Sequence, residues 1–179
     1  MKWVTRSHVH VDRIACPWLI SKFIDKDPEF LFIPWPGSLP SSDMGTPFDF
    51  PNPDFELGHH DGKCTFEAII EKYNIQDPWG QEVAKIVHAA DVASDIDKAP
   101  EGRGVEAISA GSMYIVKDDY EALKKGFGIY DALYVFVQLA KIREKYKDEL
   151  AKMERGKQFD FIKVHVKEAP TARVKRLSK

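Results

Sequence analysis

The chain has 179 residues, 44% of them hydrophobic and 30% charged, which excludes a disordered or fibrous protein and suffices for one self-sufficient core. Lys and Arg number 26 against 28 Asp and Glu, and the net charge of −2 provides no global attraction to nucleic acid or an anionic membrane. Two cysteines cannot build a disulfide framework, and no apolar run approaches the ~20 residues a membrane helix needs.

The start, Met1-Lys2-Trp3-Val4-Thr5-Arg6, lacks the apolar stretch of a signal peptide, so the expected setting is the cytoplasm. Trp3 to His10, a segment ending in alternation at His8, Val9, His10 and Val11, is a short strand candidate. Trp18, Leu19, Phe23 and Ile24 then fall on one helical face, with Pro17 suited to a first helical turn. Glu29 to Ile33 reads as a buried strand. Residues 34–53 hold six prolines and read as a long loop of the lid or binding kind, with a short strand at Phe48 to Phe50 and another at Phe55 to Leu57.

After Cys64 the pattern turns helical. Phe66, Ile69, Ile70 and Tyr73 form one stripe, Pro78 opens a helix through Val83, Ile86, Val87 and Ala90, and a third runs from about Glu101 to Met113. Asp118 to about Arg155 is free of proline and apolar along one side, with Gly126 and Gly128 as candidate kinks and the Phe127, Tyr130, Tyr134 stripe assigned to the core. Phe159 to Val166 alternates like a strand. Residues 156–179 carry a net +5, leaving −7 on the rest. The expected class is α+β: a small N-terminal sheet and a predominantly helical C-terminal block in one domain over 1–155, then a basic segment, 156–179, of strand and flexible tail.

Several residues could carry chemistry. Cys16, placed by this reading near a helix start with Arg13 close by, could be a stabilised thiolate or, with Asp12 and Arg13, part of an anion site. The plainer alternative buries Cys16 beside Trp18, with Asp12 as a cap and Arg13 as its ion-pair partner. His59, His60, Lys63, Cys64 and Glu67 put imidazole, thiol and carboxylate within nine residues, and a turn before a helix can aim several at one point. His88 and Asp91 stand at i and i+3 of a helix, the spacing by which bundle proteins present iron and manganese ligands. Signatures of P-loop ATPases, dinucleotide enzymes, α/β-hydrolases and dithiol redox proteins are missing from the sequence.

The run Val11-Asp12-Arg13-Ile14-Ala15-Cys16-Pro17-Trp18-Leu19-Ile20 is long and unusual. Followed in order by His59, by Cys64-Thr65-Phe66-Glu67, by Ala90-Asp91 and by Tyr130-Asp131-Ala132-Leu133-Tyr134, it resembles the C-terminal domain of the chromate resistance protein ChrB family, over about residues 2 to 140. The resemblance implies involvement in chromate resistance or sensing. Longer members carry an N-terminal region associated with transcriptional regulation, and this chain is expected to act without it.

Two functional readings follow. In the first, His59, His88, Asp91 and Glu67 hold one transition metal ion (iron, zinc or manganese), with Cys16, Cys64 and Arg13 lining the approach of an oxyanion or reactive oxygen species, and the domain is a candidate metal-dependent oxidoreductase. Chromate reduction needs more electrons than two thiols supply catalytically, so an external reductant would be required. In the second, the domain is a metal-free oxyanion sensor that binds chromate at a helix N-terminus against Asp12, Arg13 and Lys63. Either way the expected partner is a small oxyanion such as chromate, with no membrane and no nucleic acid, and self-association into a homo-oligomer stays open.

Overall fold

The computed structural model of the chain describes residues 1–171. Strand β1 (Lys2–Arg6) is central in a three-stranded parallel sheet, with β2 (Glu29–Ile33) on one side and the two-residue β3 (Thr46–Pro47) on the other. Trp3, Val4 and Thr5 have no solvent exposure, as expected of a middle strand covered on both faces. Two parallel strands cannot be joined by a hairpin, and α1 (Val11–Leu19) makes the crossover from β1 to β2.

Pro17 lies inside α1 rather than in its first turn. It cannot donate to Arg13 O, and the helix widens beyond it into a π-helical turn, Ile20–Ile24, closed by Asp25 N–H on Ile20 O at 2.8 Å. Of the strand expected over Trp3 to His10, the first part forms, as β1, and the alternating residues from His8 to Val11 do not continue it. The chain leaves β1 at Arg6, turns through His8 with φ at 61°, and enters α1 at Val11. Phe55 to Leu57 is likewise irregular, and the strand expected at Phe48 to Phe50 lies just earlier, as β3.

The helical block consists of α2 (Thr65–Lys72), α3 (Pro78–Asp91), a 3-10 turn (Ala93–Asp95), α4 (Gly102–Ser112), α5 (Asp119–Lys145), α6 (Lys147–Leu150) and α7 (Arg155–His165). Helix α5 passes unbroken through Gly126 and Gly128, and α1 packs closely at Gly126, where a Cβ would lie 2.4 Å from Ile14 Cγ2. Trp18 of α1 is fully buried among the rings of Phe23, Phe66, Tyr130 and Tyr134, and its indole N–H donates to Asp131 at 2.9 Å. Burial of an aromatic on this scale contributes about 3–5 kcal/mol, so Trp18 binds α1, α2 and α5 into one core.

The segment read as a strand at Phe159 to Val166 is helical over Arg155–His165. Phe161 and His165, four apart, stack at 4.2 Å between centroids and both pack on Tyr146, a pairing that only a helical period allows. Arg173, Lys175, Arg176 and Lys179 of the basic tail lie outside the described residues. Among the described residues no helix is long and apolar enough to cross a membrane.

Candidate functional site

The chain passes from β1 to one side of the sheet for β2 and returns to the other side for β3. That reversal opens a crevice at the carboxyl ends of β1 and β3, the usual place for ligands in parallel sheets. Arg6 ends β1, Asp12 opens α1 and Asp49 follows β3, so three charged side chains meet there.

Asp49 was not singled out in the sequence, yet it organises one wall. Its Oδ2 accepts from Arg6 Nη2 and from Arg13 Nη1, both at 2.8 Å, and its Oδ1 accepts from Thr65 Oγ1 at 3.0 Å. The backbone at Asp49 is left-handed (φ 55°), which Asp tolerates better than most residues. Its N–H donates to Leu57 O at 2.8 Å and pins the segment that carries His59.

Asp12 is 1% exposed. Its Oδ2 accepts from Thr65 N–H at 2.6 Å and lies 3.4 Å from Phe66 N, so it caps α2 rather than its own helix. Its Oδ1 is buried without a hydrogen-bond partner. Asp91, the last residue of α3, accepts from Asp12 N–H through Oδ1 at 3.3 Å. His59 Nε2 closes the group: it is 3.0 Å from Asp91 Oδ2 and 3.6 Å from both Asp12 Oδ2 and Asp49 Oδ1. Burial, then the charge of Asp91, pushes the Asp12 carboxyl up to about 7. Contact first with Asp12 and then with Asp91 raises the His59 imidazole to about 10, so an imidazolium is the cation within this ring of carboxylates. A cavity of about 410 Å³, lined by Arg6, Asp49, Phe50, Asn52 and His59 among others, opens beside it.

The other predicted ligands gather separately. His88 Nδ1 is 2.6 Å from Glu67 Oε2, and its Nε2 is 2.7 Å from Asp95 Oδ2, which Lys98 Nζ also holds at 2.7 Å. Cys64, at the N-cap of α2, donates its N–H to Glu67 Oε2 at 3.0 Å, and its sulfur accepts from Glu67 N–H. His88 and Asp91 therefore share a helix but serve two clusters, and the expected set of His59, Glu67, His88 and Asp91 divides in two. Asp95, not among the residues singled out in the sequence, completes this second cluster.

The thiols differ from expectation as well. Cys16 lies well inside α1, away from its N-terminus and without solvent exposure, and burial raises its thiol well above the usual range. Burial raises the Cys64 thiol too, with Asp12 adding to the effect. Arg13 pairs with Asp49 and not with Asp12. Lys63 is taken by Glu71 at 2.6 Å on the exposed side of α2, apart from the Asp12 group.

Residues 3–137 match the family model described as ChrB, C-terminal domain. Over 134 residues the chain is 31% identical to Protein ChrB of Cupriavidus metallidurans, an alignment covering 74% of this chain and 40% of that protein. The chain thus spans under half the length of that relative. No solved structure matches. The matched residues take in the sheet, both clusters and most of α5, and the chain belongs to the ChrB C-terminal domain family.

Proposed function

We propose that this domain holds one transition metal ion at Asp12, Asp49, His59 and Asp91 and serves chromate or oxidative-stress resistance in the cytoplasm. The observation that carries this reading is the convergence of three carboxylates, those of Asp12, Asp49 and Asp91, on His59 Nε2, with Asp12 buried and its other oxygen, Oδ1, without a hydrogen-bond partner. Carboxylates crowd in this way where a cation repays their desolvation, and a set of oxygens with one imidazole suits manganese or iron, and also accepts zinc. Glu67 and His88, expected as ligands of the same ion, belong to the neighbouring cluster.

An ion held here would supply a Lewis-acidic centre for an oxyanion or a reactive oxygen species. The cavity beside His59 is the route to it. Arg6 lines this cavity, and Arg6 and Arg13 together hold Asp49 in place. Metal-free binding of chromate at a helix N-terminus has less support. The first N–H groups at the start of α2 are already accepted by Asp12 and Glu67, and the arginines are committed to Asp49.

Elemental analysis of protein purified without a chelating tag tests the reading. The expected result is bound iron, manganese or zinc, of which about one equivalent per chain is lost in His59→Ala and in Asp91→Ala while the helical circular dichroism persists. Full metal content in both variants would remove the site. Chromate consumption with an external reductant should then separate metal-loaded from metal-stripped protein.

A further inference from the structure

We infer a second metal site, for a thiophilic divalent ion of the zinc class, formed by Cys64, Glu67 and His88 and distinct from the oxygen-rich ring around His59. One atom from each, the Cys64 sulfur, a Glu67 carboxylate oxygen and a His88 ring nitrogen, lies within 4.8 Å of the others. Sulfur, nitrogen and oxygen donors together are the set that zinc selects, and three protein ligands leave a fourth position open.

The arrangement around His88 is independent support. A metal-ligating imidazole usually gives its second nitrogen to a carboxylate, which holds the ring and sets its tautomer. Asp95 Oδ2 stands at His88 Nε2, 2.7 Å away, and Lys98 holds Asp95 from behind. That leaves Nδ1 facing Glu67 and Cys64. The capping box of α2 accounts for the bond between Glu67 and Cys64 N–H, but not for a histidine drawn to the same carboxylate with an orienting acid behind it. An ion would replace the proton between Nδ1 and Glu67 Oε2.

Burial is graded across the site. Cys64 has no exposure, the His88 side chain 11% and the Glu67 side chain 30%, and Glu67 lines a separate cavity of about 440 Å³ between α2 and α3 that gives an ion a way in. The site borders the first ring at the start of α2, where Cys64 is the N-cap and the next N–H, that of Thr65, goes to Asp12. Its donors are nonetheless its own, so it does not depend on metal binding at His59.

Cobalt(II) titration of the metal-stripped full chain tests the inference, since thiolate coordination produces a near-ultraviolet sulfur-to-cobalt charge-transfer band that oxygen and nitrogen donors do not. The expected result is one such band per chain. It should disappear in Cys64→Ser, which keeps a capping side chain, and in His88→Gln, and persist at full amplitude in His59→Ala. Asp95→Asn, a change to the positioning residue, should weaken cobalt binding at this site by about 10–100-fold with the fold unaltered by circular dichroism. No band in folded wild-type protein at saturating cobalt overturns the inference, as does a band that survives Cys64→Ser. Loss of the band in folded His59→Ala would mean one shared site and overturn it equally.

Discussion

The Asp12 carboxylate lies 2.6 Å from the Thr65 backbone nitrogen, so an acid on α1 closes the first turn of α2 across 53 positions of sequence. This one residue carries both a structural bond and a carboxylate proposed for metal binding, and the two roles can be separated. Asp12→Asn keeps an oxygen for the Thr65 N–H while removing a charge opposed by Asp91 and Asp49. The metal-free variant should unfold within about 1 kcal/mol of wild type in urea, whereas Asp12→Ala should lose about 1–2 kcal/mol with the cap. Metal content should fall in both. Retention of the ion by Asp12→Asn would take Asp12 out of the ligand set.

Asp49 holds two arginines whose side chains are only 20% and 17% exposed. Asp49→Ala leaves both guanidinium groups without their carboxylate and also places alanine on left-handed backbone. Breaking a buried pair by removing one partner costs about 3–5 kcal/mol, and urea denaturation should show a loss in that range. Asp49→Asn, which tolerates the same backbone and still offers Oδ1 to Thr65, should lose clearly less. Equal losses in the two variants would mean that charge, not backbone conformation or the Thr65 bond, dominates.

Periodicity made α3, α4 and α5 legible because each buries a stripe at helical spacing, and the start of α2 was readable from the turn ahead of Cys64. His59 and Asp91 were singled out and do meet; His88 and Glu67 were singled out and meet elsewhere. A sequence names side chains that can ligate, but the partition depends on which way the last turn of α3 faces, and that is set by packing. Asp49 escaped notice because it follows a proline-rich stretch without periodicity. Its only signal is an acid between Phe48 and Phe50, both buried. Helix α7 was misread because it buries little: Phe159 and Val164 are 67% and 78% exposed, so alternation of apolar residues there reflected no sheet face.

Gly126 and Gly128 sit two positions apart on α5, and alanine should have opposite effects at them. A Cβ at Gly126 would lie 2.4 Å from Ile14 Cγ2, a branch close to the α1 backbone that cannot swing aside. Overpacking of about 1–3 kcal/mol should outweigh the gain in helix propensity of about 1 kcal/mol. At Gly128 nothing lies within 4 Å, so the propensity gain stands alone. The urea midpoint should fall for Gly126→Ala and rise for Gly128→Ala. A rise in both would show that α1 and α5 can separate at no cost.

Asp77 caps α3, accepting from Trp79 N–H at 3.0 Å and Gly80 N–H at 2.7 Å, and it also accepts from the Tyr134 hydroxyl at 3.1 Å. Burial first, and then the Asp77 charge with its hydrogen bond, raises the Tyr134 phenol above the ordinary tyrosine range. The folded protein therefore keeps a proton that the unfolded chain releases near pH ~10. By linkage this contribution to stability is complete below that pH and declines as alkalinity increases through it. Tyr134→Phe should flatten the alkaline arm of a stability-against-pH curve, and spectrophotometric titration of native protein should find one fewer phenol ionising late. Asp77→Ala should lose about 1–2 kcal/mol at neutral pH through the cap and bring the Tyr134 titration back toward its usual range. An unchanged tyrosine titration in that variant would assign the shift to burial alone.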